Sequence, residues 1–418
     1  MGRLGTVTVP KIEADPAEVG LDAARLGRID THFRRYVDEG KLPGWTIAVG
    51  RGDRLVHLSH HGRRDVEAGL PVTDDTIWRI YSMTKPITSV AALMLWERGA
   101  LELTDPVSRY IPAFAEQRVY RGGSALNPGT DAALEPVRVH HLLTHTAGLT
   151  YGFHHAHPVD EMYRSKGYEF GAPEGVDLAT AADQFASFPL LFQPGTEWNY
   201  SVATDVLGRV VEVASGQRLD EFLRTEILDP LGMTETTFSV APGSPEAERL
   251  ATLYNARPGG GLVVNKVLAR AATREPTYLS GGGGLLSTAG DYLRFARMLA
   301  RGGELDGVRI LGPRTLARAT RNHLPGGGDL ETVGRPIFSE SAFTGVGFGL
   351  GFSVVIDGPA GKQLANEGTF AWGGLASTAF WVDPVDDVVA LFFTQLVPSS
   401  TYPIRSQLQT LVQQAVID

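Results

Sequence analysis

The 418-residue sequence contains no cysteine. This absence excludes disulfide bonds, thiolate-held metal ions, iron–sulfur clusters and a cysteine nucleophile. A chain without disulfides fits a reducing compartment, and we expect the protein in the cytoplasm. Basic residues are outnumbered as well, since 38 Lys and Arg face 47 Asp and Glu, for a net charge of −9. Such an acidic chain is poorly suited to bind a phosphate backbone, so we expect no nucleic-acid partner.

Long hydrophobic runs are also missing. The most apolar stretch, residues 388–397, is interrupted by Thr394 and Gln395 and is shorter than the roughly 18 residues that span a bilayer. Residues 1–16 lack the apolar core of a signal peptide. We therefore expect no membrane partner. Glycine, by contrast, is abundant at 49 residues, and this abundance predicts tight turns and close backbone approaches.

The two ends of the chain show matching patterns. Helical spacing over residues 15–39 precedes a predicted β-hairpin over residues 45–58. Toward the C-terminus, a second predicted hairpin over residues 377–395 precedes a helical pattern over residues 404–416. An antiparallel sheet covered by these terminal helices would bury all of their apolar faces.

The middle of the chain differs from its ends. Residues 106–276 hold several helical patterns, separated by loops rich in Gly, Pro and His. We predict an α/β (α+β) fold in which residues 1–105 and 277–418 together build an antiparallel sheet flanked by helices. Residues 106–276 would form a mainly helical domain inserted between the two halves.

The first motif with chemical content is Ser82-Met83-Thr84-Lys85, at the start of a helical pattern that stops at Gly99. Residues three apart share a helix face, so Ser82 and Lys85 should meet. A serine hydroxyl needs a base to take its proton, and burial near a helix N-terminus favours the neutral, basic lysine. Lysine is scarce, and no other lysine follows a serine at this spacing. A capping serine beside a solvated lysine explains this motif equally well.

Two further segments could complete a catalytic site. Tyr200 precedes a helical pattern that starts near Val202, and a phenol beside an ammonium group can share protons with it. A lone tyrosine, however, is more often a core residue. Gly373 and Gly374 precede a predicted strand, where a substrate carbonyl could approach backbone N–H groups, as an oxyanion hole requires. A plain hairpin turn is the alternative.

Several motifs together resemble a known family in their order and spacing. Ser82-x-x-Lys85, Tyr200-Ser201 and Trp372-Gly373-Gly374 are similar to those of the family VIII carboxylesterases, relatives of class C β-lactamases and D-alanyl-D-alanine peptidases. The resemblance runs from about Val19 to the C-terminal helix, and supporting stretches are residues 141–149, 230–234 and 281–300.

The resemblance implies a role for each motif. Ser82 would be the nucleophile that becomes acylated, and Lys85 and Tyr200 would transfer protons. The backbone N–H groups of Ser82 and Leu375 would form the oxyanion hole. The implied reaction is hydrolysis of a small-molecule carboxylic ester with a short to medium acyl chain, without a cofactor or metal ion. The expected substrate-binding residues are Trp372, Gly373 and Gly374, together with Tyr151 and Phe153 as an acyl pocket. These two aromatic residues could equally be ordinary core residues.

The chain departs from the β-lactamase pattern at two places. Val202 stands where the tyrosine-x-asparagine motif has its asparagine, and Trp372-Gly373 replaces the lysine-threonine of the third motif. The missing lysine would hold a β-lactam carboxylate, so an uncharged aromatic pocket suits neutral esters better. Efficient β-lactamase activity is therefore not expected. A β-lactamase, a D-amino-acid peptidase or an acyltransferase of the same superfamily remains the alternative.

Two other interpretations are weaker. His154, His155, His157 and Asp160 superficially resemble a metal-ligand cluster, but their spacing does not match a metallohydrolase, and a polar loop is the simpler explanation. A non-catalytic binding protein is possible within this superfamily, although Ser82, Lys85 and Tyr200 are all present. The Gly-x-Ser-x-Gly motif of α/β-hydrolases does not occur. Nothing in the sequence fixes the oligomeric state.

Overall fold

Short strands recur along the whole chain. The computed structural model describes residues 10–257, 259–335 and 343–418. In chain order, the strands within these ranges are β1 (Gly44–Arg51), β2 (Arg54–Asp65), β3 (Leu70–Pro71), β4 (Trp78–Arg79), β5 (Arg118–Ser124), β6 (Asn127–Ala132), β7 (Tyr254–Ala256), β8 (Leu262–Val264), β9 (Leu286–Ser287), β10 (Glu304–Leu305), β11 (Val308–Arg309), β12 (Val346–Phe348), β13 (Ser353–Val355), β14 (Phe370–Gly373), β15 (Ala379–Asp383), β16 (Val388–Phe393) and β17 (Leu396–Val397).

Helices lie before β1, after β17 and in the longer stretches between the strands. In the same ranges they are α1 (Ala23–Leu26), α2 (Arg28–Asp38), α3 (Thr84–Glu97), α4 (Val139–Leu143), α5 (Pro158–Ser165), α6 (Leu178–Ser187), α7 (Ala203–Ser215), α8 (Leu219–Leu223), α9 (Pro245–Arg249), α10 (Lys266–Ala269), α11 (Ala289–Ala300), α12 (Pro313–Ala319) and α13 (Ile404–Gln413).

The two chain ends meet in one antiparallel sheet. Its eight described strands follow the order β12-β13-β14-β15-β16-β1-β2-β3. The join between the ends is the β1–β16 pair, in which Thr46 lies opposite Phe393 and Arg51 lies opposite Val388. The predicted antiparallel sheet, built from both chain ends, is therefore confirmed.

Both faces of this sheet are covered by helices. On one face, Ile47 of β1 belongs to a hydrophobic cluster with Phe33 of α2 and Leu408 of α13. On the other face, Ala48 belongs to a cluster with Phe295 of α11. Successive residues of a strand point to opposite faces, so each central strand contributes to both layers of the core. This double coverage explains why β1 and β16 are apolar without polar alternation.

One local prediction was wrong in detail. The helical pattern over residues 15–39 is broken into a 3-10 turn (Pro16–Val19), α1 and α2. Gly20 ends the first turn with a φ of 72°, a left-handed conformation that glycine adopts without steric cost. The middle of the chain also contains the antiparallel hairpin β5–β6, whose sequence shows no strong alternation. The division into two domains stays a prediction.

The fold places the Ser-x-x-Lys motif beside the C-terminal end of β14, an inner strand of the sheet. Ser82 lies in a 3-10 turn (Tyr81–Met83) that leads directly into α3. Gly374, just after β14, has no room for a side chain, because a Cβ there would lie 2.4 Å from the carbonyl oxygen of Ile80. Across residues 10–257, 259–335 and 343–418, no helix is long and apolar enough to cross a membrane.

Candidate active site

The candidate nucleophile follows a strained residue. Tyr81 has a φ of 43°, in the left-handed region that non-glycine residues rarely adopt. Such backbone outliers persist only when the surrounding structure holds them, and they cluster at functional sites. Burial raises the pKa of Tyr81 to about 12, so its phenol stays neutral. The strained turn leaves Ser82 half-buried on the wall of a cavity.

Lys85 is buried directly behind Ser82, with 1% of its surface exposed. Its Nζ donates to the carbonyl oxygen of Gly282 at 2.7 Å, to the hydroxyl of Tyr151 at 2.9 Å and to the Oγ of Ser82 at 3.3 Å. These contacts use all three donors of an ammonium group. The same geometry allows a neutral amine to accept a proton from Ser82, because the two atoms are within reach of one another.

Two tyrosines surround Lys85. The predicted partner, Tyr200, places its ring centroid 4.5 Å from Nζ. The hydrogen bond, however, is the one that Lys85 donates to the hydroxyl of Tyr151, which the sequence placed only in the substrate pocket. Burial raises the pKa of Tyr151 well above its usual value of 10, and the charge of Asp205 raises it further. Tyr151 is therefore a neutral phenol that can pass a proton between Lys85 and a bound substrate.

The ring of Tyr200 is held by its neighbours. His145 lies 5.1 Å from it and Trp372 lies 5.4 Å from it, measured between ring centroids. The Nδ1 of His145 is 3.2 Å from the hydroxyl of Ser201. Burial, reinforced by the charge of Lys85, holds the pKa of His145 well below its usual 6.5. A neutral, buried imidazole here packs against Tyr200 without adding a second positive charge.

A buried carboxylate fixes the loop that holds Lys85. Asp205, in the first turn of α7, is 2% exposed. Its Oδ1 accepts from the hydroxyl of Ser280 at 2.6 Å and from the backbone N–H of Gly282 at 3.1 Å. Burial and the same carboxylate raise the pKa of Tyr278 well above 10. Asp205 thus positions the Gly282 carbonyl that receives Lys85.

Sequence reasoning missed Asp205 and Gly282. A signal was present, because Asp205 interrupts the apolar stripe of the predicted helix, and Gly282 lies in a run of four glycines. Gly282 also needs to be glycine, since a Cβ there would lie 2.4 Å from the Oδ2 of Asp205.

The C-terminal end of β14 forms another wall of the site. Trp372 and Gly373 end β14, and the Trp372 ring lies 5.2 Å from that of Phe348. Leu375 follows and packs in a small hydrophobic cluster with Tyr81 and Ala376. In the part of the chain that the structure describes, the backbone N–H of Leu375 donates to no protein acceptor. This donor therefore remains available to a ligand.

One cavity of about 860 Å³ connects these residues. Lys85 alone among the predicted site residues does not line it, because Ser82 and Tyr151 cover its ammonium group. The residues predicted from the sequence that do line the cavity are Ser82, Tyr151, Phe153, Tyr200, Trp372, Gly373, Gly374 and Leu375.

The loop that carries His154, His155 and His157 is held by the buried carboxylate of Asp160. Asp160 is 1% exposed, and its carboxylate accepts from the Thr150 hydroxyl and from the backbone N–H groups of Ala156 and His157. Burial lowers the pKa of His154 to about 4. Among the described residues, no group of three or more His, Cys, Asp or Glu side chains is placed to hold a metal ion. The geometry therefore fits a capped loop, which was the simpler explanation of this segment.

Comparisons with known proteins agree with the fold. A family model described as Beta-lactamase matches residues 29–414. Esterase EstB of Burkholderia gladioli is 35% identical over 401 residues, which cover 91% of this chain and 93% of that protein. The lovastatin esterase of Penicillium rubens is 30% identical over 371 residues, which cover 85% of this chain and 89% of that protein.

A solved structure shows the same architecture. EstCE1, described as a hydrolase with promiscuous acyltransferase activity, superposes with a TM-score of 0.80 at 26% identity and covers 93% of this chain and 99% of that one. The resemblance to family VIII carboxylesterases expected from the motifs is thereby confirmed. Because the family model and the esterase relatives match this chain over most of its length, the chain belongs to the beta-lactamase family.

Proposed function

We propose that the protein is a serine carboxylesterase that works through an acyl-enzyme on Ser82. The observation that carries this proposal is the contact chain at the cavity wall, in which Lys85 Nζ lies within 3.3 Å of Ser82 Oγ and 2.9 Å of the Tyr151 hydroxyl. A serine hydroxyl beside a base and a proton-sharing phenol is the arrangement that nucleophilic acyl transfer requires.

The first half-reaction forms an ester on the enzyme. Ser82 Oγ attacks the substrate carbonyl carbon while its proton passes to Lys85. The backbone N–H groups of Ser82 and Leu375 stabilise the oxyanion, and each such donor contributes about 3 kcal/mol in other serine hydrolases. The bond to the alcohol oxygen then breaks, and that oxygen receives the proton from Lys85 through Tyr151 or Tyr200.

The second half-reaction regenerates the enzyme. Water attacks the acyl carbon on Ser82, and its proton passes through the same groups to the departing Oγ of Ser82. The products are a carboxylic acid and an alcohol, so no oxidant, metal ion or cofactor is needed for the balance. We propose a neutral ester as substrate, with a short to medium acyl chain, because Trp372 offers an aromatic ring at this wall and the nearby Arg405 donates to the carbonyl oxygens of Gly374 and Thr378.

Acyl transfer to an alcohol is the second candidate. It differs from hydrolysis only in the nucleophile that meets the acyl-enzyme. The description of EstCE1 as a hydrolase with promiscuous acyltransferase activity favours it, and the large cavity leaves room for an acceptor alcohol. Location in the cytoplasm and the absence of a nucleic-acid partner stay predictions.

Hydrolysis of p-nitrophenyl butyrate tests the proposal. The wild type should release p-nitrophenol, and Ser82→Ala should not. A fluorophosphonate should add one adduct, which peptide mass spectrometry should locate on Ser82. Activity that survives the fluorophosphonate but is lost with a chelator would instead favour the histidine loop.

A further inference from the structure

The cavity is larger than a simple ester requires. Its volume of about 860 Å³ lies toward the upper end of the roughly 300–1,000 Å³ found for pockets that hold drug-sized ligands. A short acyl chain next to Ser82 would fill a small part of this space. One arm of the substrate should therefore be considerably larger than the other.

Three rings form an aromatic column that leads away from Lys85. The column consists of Tyr151, Phe153 and Phe170. Tyr151 and Phe153 stack with centroids 4.7 Å apart and planes at 21°, and Phe153 and Phe170 stack at 5.4 Å and 8°. At its inner end the Tyr151 hydroxyl touches Lys85. At its outer end Phe170 is 52% exposed, so the column runs from the reaction centre to solvent.

The outer end of the column lies at the rim of the cavity. Phe170 and Val267 both line the cavity, and Val267 is 80% exposed. Single exposed apolar residues are ordinary on protein surfaces. Two of them line one cavity here, and Phe170 also stacks on the half-buried ring of Phe153, so a ligand bound at this end would remove apolar surface from water.

The stacking decides which ligand shape fits. Phe153 stacks on both Tyr151 and Phe170 and also lines the cavity. Stacking occupies the faces of a ring, so the edge of Phe153 is the part left to meet a ligand. Ring edges carry partial positive charge, and they interact best with the negative face of another aromatic ring. A flat aryl group that lies along the column makes such contacts, whereas a flexible alkyl chain gains only from burial.

The chemistry of the acyl-enzyme decides which arm lies there. The acyl group stays bonded to Ser82 after the first half-reaction, while the alcohol must leave before water can attack. The arm that points to the open rim is the arm that can leave. We infer that the aromatic column binds the alcohol arm of the substrate and that this arm is a flat aryl group, such as a fused two-ring system. This inference rests on the proposed esterase function.

Kinetics with matched esters test the inference. The acyl group is kept as butyrate, and the alcohol is varied from n-octanol to 2-naphthol. Phe170→Ala should lower kcat/KM for 2-naphthyl butyrate about five-fold, the size of one lost aromatic contact, and leave kcat/KM for octyl butyrate within two-fold. The ratio of variant to wild type is compared for each ester, so that differences in leaving-group reactivity cancel. Val385→Ala, at an apolar residue that is 65% exposed and outside the cavity lining, is the control.

A binding measurement separates this inference from the proposed function. Calorimetric titration of Ser82→Ala with 2-naphthyl butyrate should give binding that becomes about five-fold weaker when Phe170→Ala is added, and that does not change when Val385→Ala is added. The inference would be overturned if Phe170→Ala left the affinity for 2-naphthyl butyrate unchanged. It would also be overturned if Phe170→Ala lowered kcat/KM equally for the naphthyl and octyl esters. If the wild type binds the naphthyl ester through Phe170 but hydrolyses no ester, the proposed function fails and the aryl site stands.

Discussion

Lys85 donates a 2.9 Å hydrogen bond to the hydroxyl of Tyr151, while its contact with the Ser82 hydroxyl is longer, at 3.3 Å. Of these two contacts, the shorter one is made with Tyr151, which no motif marked as catalytic. Tyr200, which the motifs did mark, contacts Lys85 through its ring. Tyr151 therefore offers a direct route by which a proton can leave Lys85, and a second route through the Tyr200 hydroxyl stays a proposal.

The first prediction concerns these two routes. Tyr151→Phe should lower kcat for p-nitrophenyl butyrate about 100-fold with little change in KM, because it removes a proton-transfer group and keeps the ring. Tyr200→Phe should also lower kcat. The double variant should lose less than the product of the two single effects, since groups that act as a unit are not additive. Tyr120→Phe, outside the cavity lining, is the control, and full activity of Tyr151→Phe would reduce Tyr151 to a pocket residue.

The second prediction concerns Asp205, which positions Lys85 through Gly282. Asp205→Asn keeps the shape but loses the charge, and charge-assisted hydrogen bonds are about twice as strong as neutral ones. We expect kcat to fall about ten-fold while KM stays within two-fold, because the lysine is less firmly held and the pocket is unchanged. Asp183→Asn, at an exposed carboxylate of α6, should have no effect. A loss confined to KM would show that Asp205 acts on substrate binding instead.

The third prediction concerns Gly374, directly after β14. In Gly374→Ala the new Cβ would lie 2.4 Å from the Ile80 carbonyl oxygen and 2.3 Å from Thr378 Oγ1, so the end of β14 must move away from the Ser82 turn. We expect activity to fall at least 100-fold and the free energy of unfolding to fall by about 2 kcal/mol, as for overpacked sites. Gly171→Ala is the control, since Gly171 also lines the cavity but has open space where the new Cβ would lie.

How much of this site could be predicted from the sequence depends on the kind of contact. Ser82 and Lys85 are three residues apart, so helix geometry alone brings them together. The hairpins were predictable because their apolar runs are bounded by turns. Gly282 and Asp205 meet across 77 residues, and no local pattern encodes such a contact. The hydroxyl of Tyr151 reaches Lys85 across 66 residues for the same reason.

The fourth prediction concerns stability and pH. Asp291, at the start of α11, accepts from Thr236 and from the backbone N–H of Glu235, and burial raises its pKa from 3.8 to about 6. A raised pKa in the folded state means that the folded protein binds the proton more tightly than the unfolded chain does. This contribution to stability is complete below pH 4 and is lost as the pH rises through 6, to an extent of about 3 kcal/mol.

Asp291→Asn removes this titration. The wild type loses stability as the pH rises and the variant does not. We therefore expect the melting temperature of Asp291→Asn minus that of the wild type to increase from pH 4 to pH 8, as measured by thermal unfolding across that range. Asp306→Asn, at a carboxylate whose side chain is 65% exposed, should show no such trend. A difference between Asp291→Asn and the wild type that does not vary with pH would contradict the assignment.

The central claim is that Ser82 becomes acylated, and one measurement tests it most directly. Wild-type protein is mixed with p-nitrophenyl butyrate, quenched in acid within milliseconds to seconds, and digested for peptide mass spectrometry. The proposed mechanism predicts one butyryl group, carried by Ser82, which appears and then decays as product forms. Steady ester hydrolysis with no acyl group on Ser82, or with the acyl group on another residue, would contradict an acyl-enzyme mechanism on Ser82.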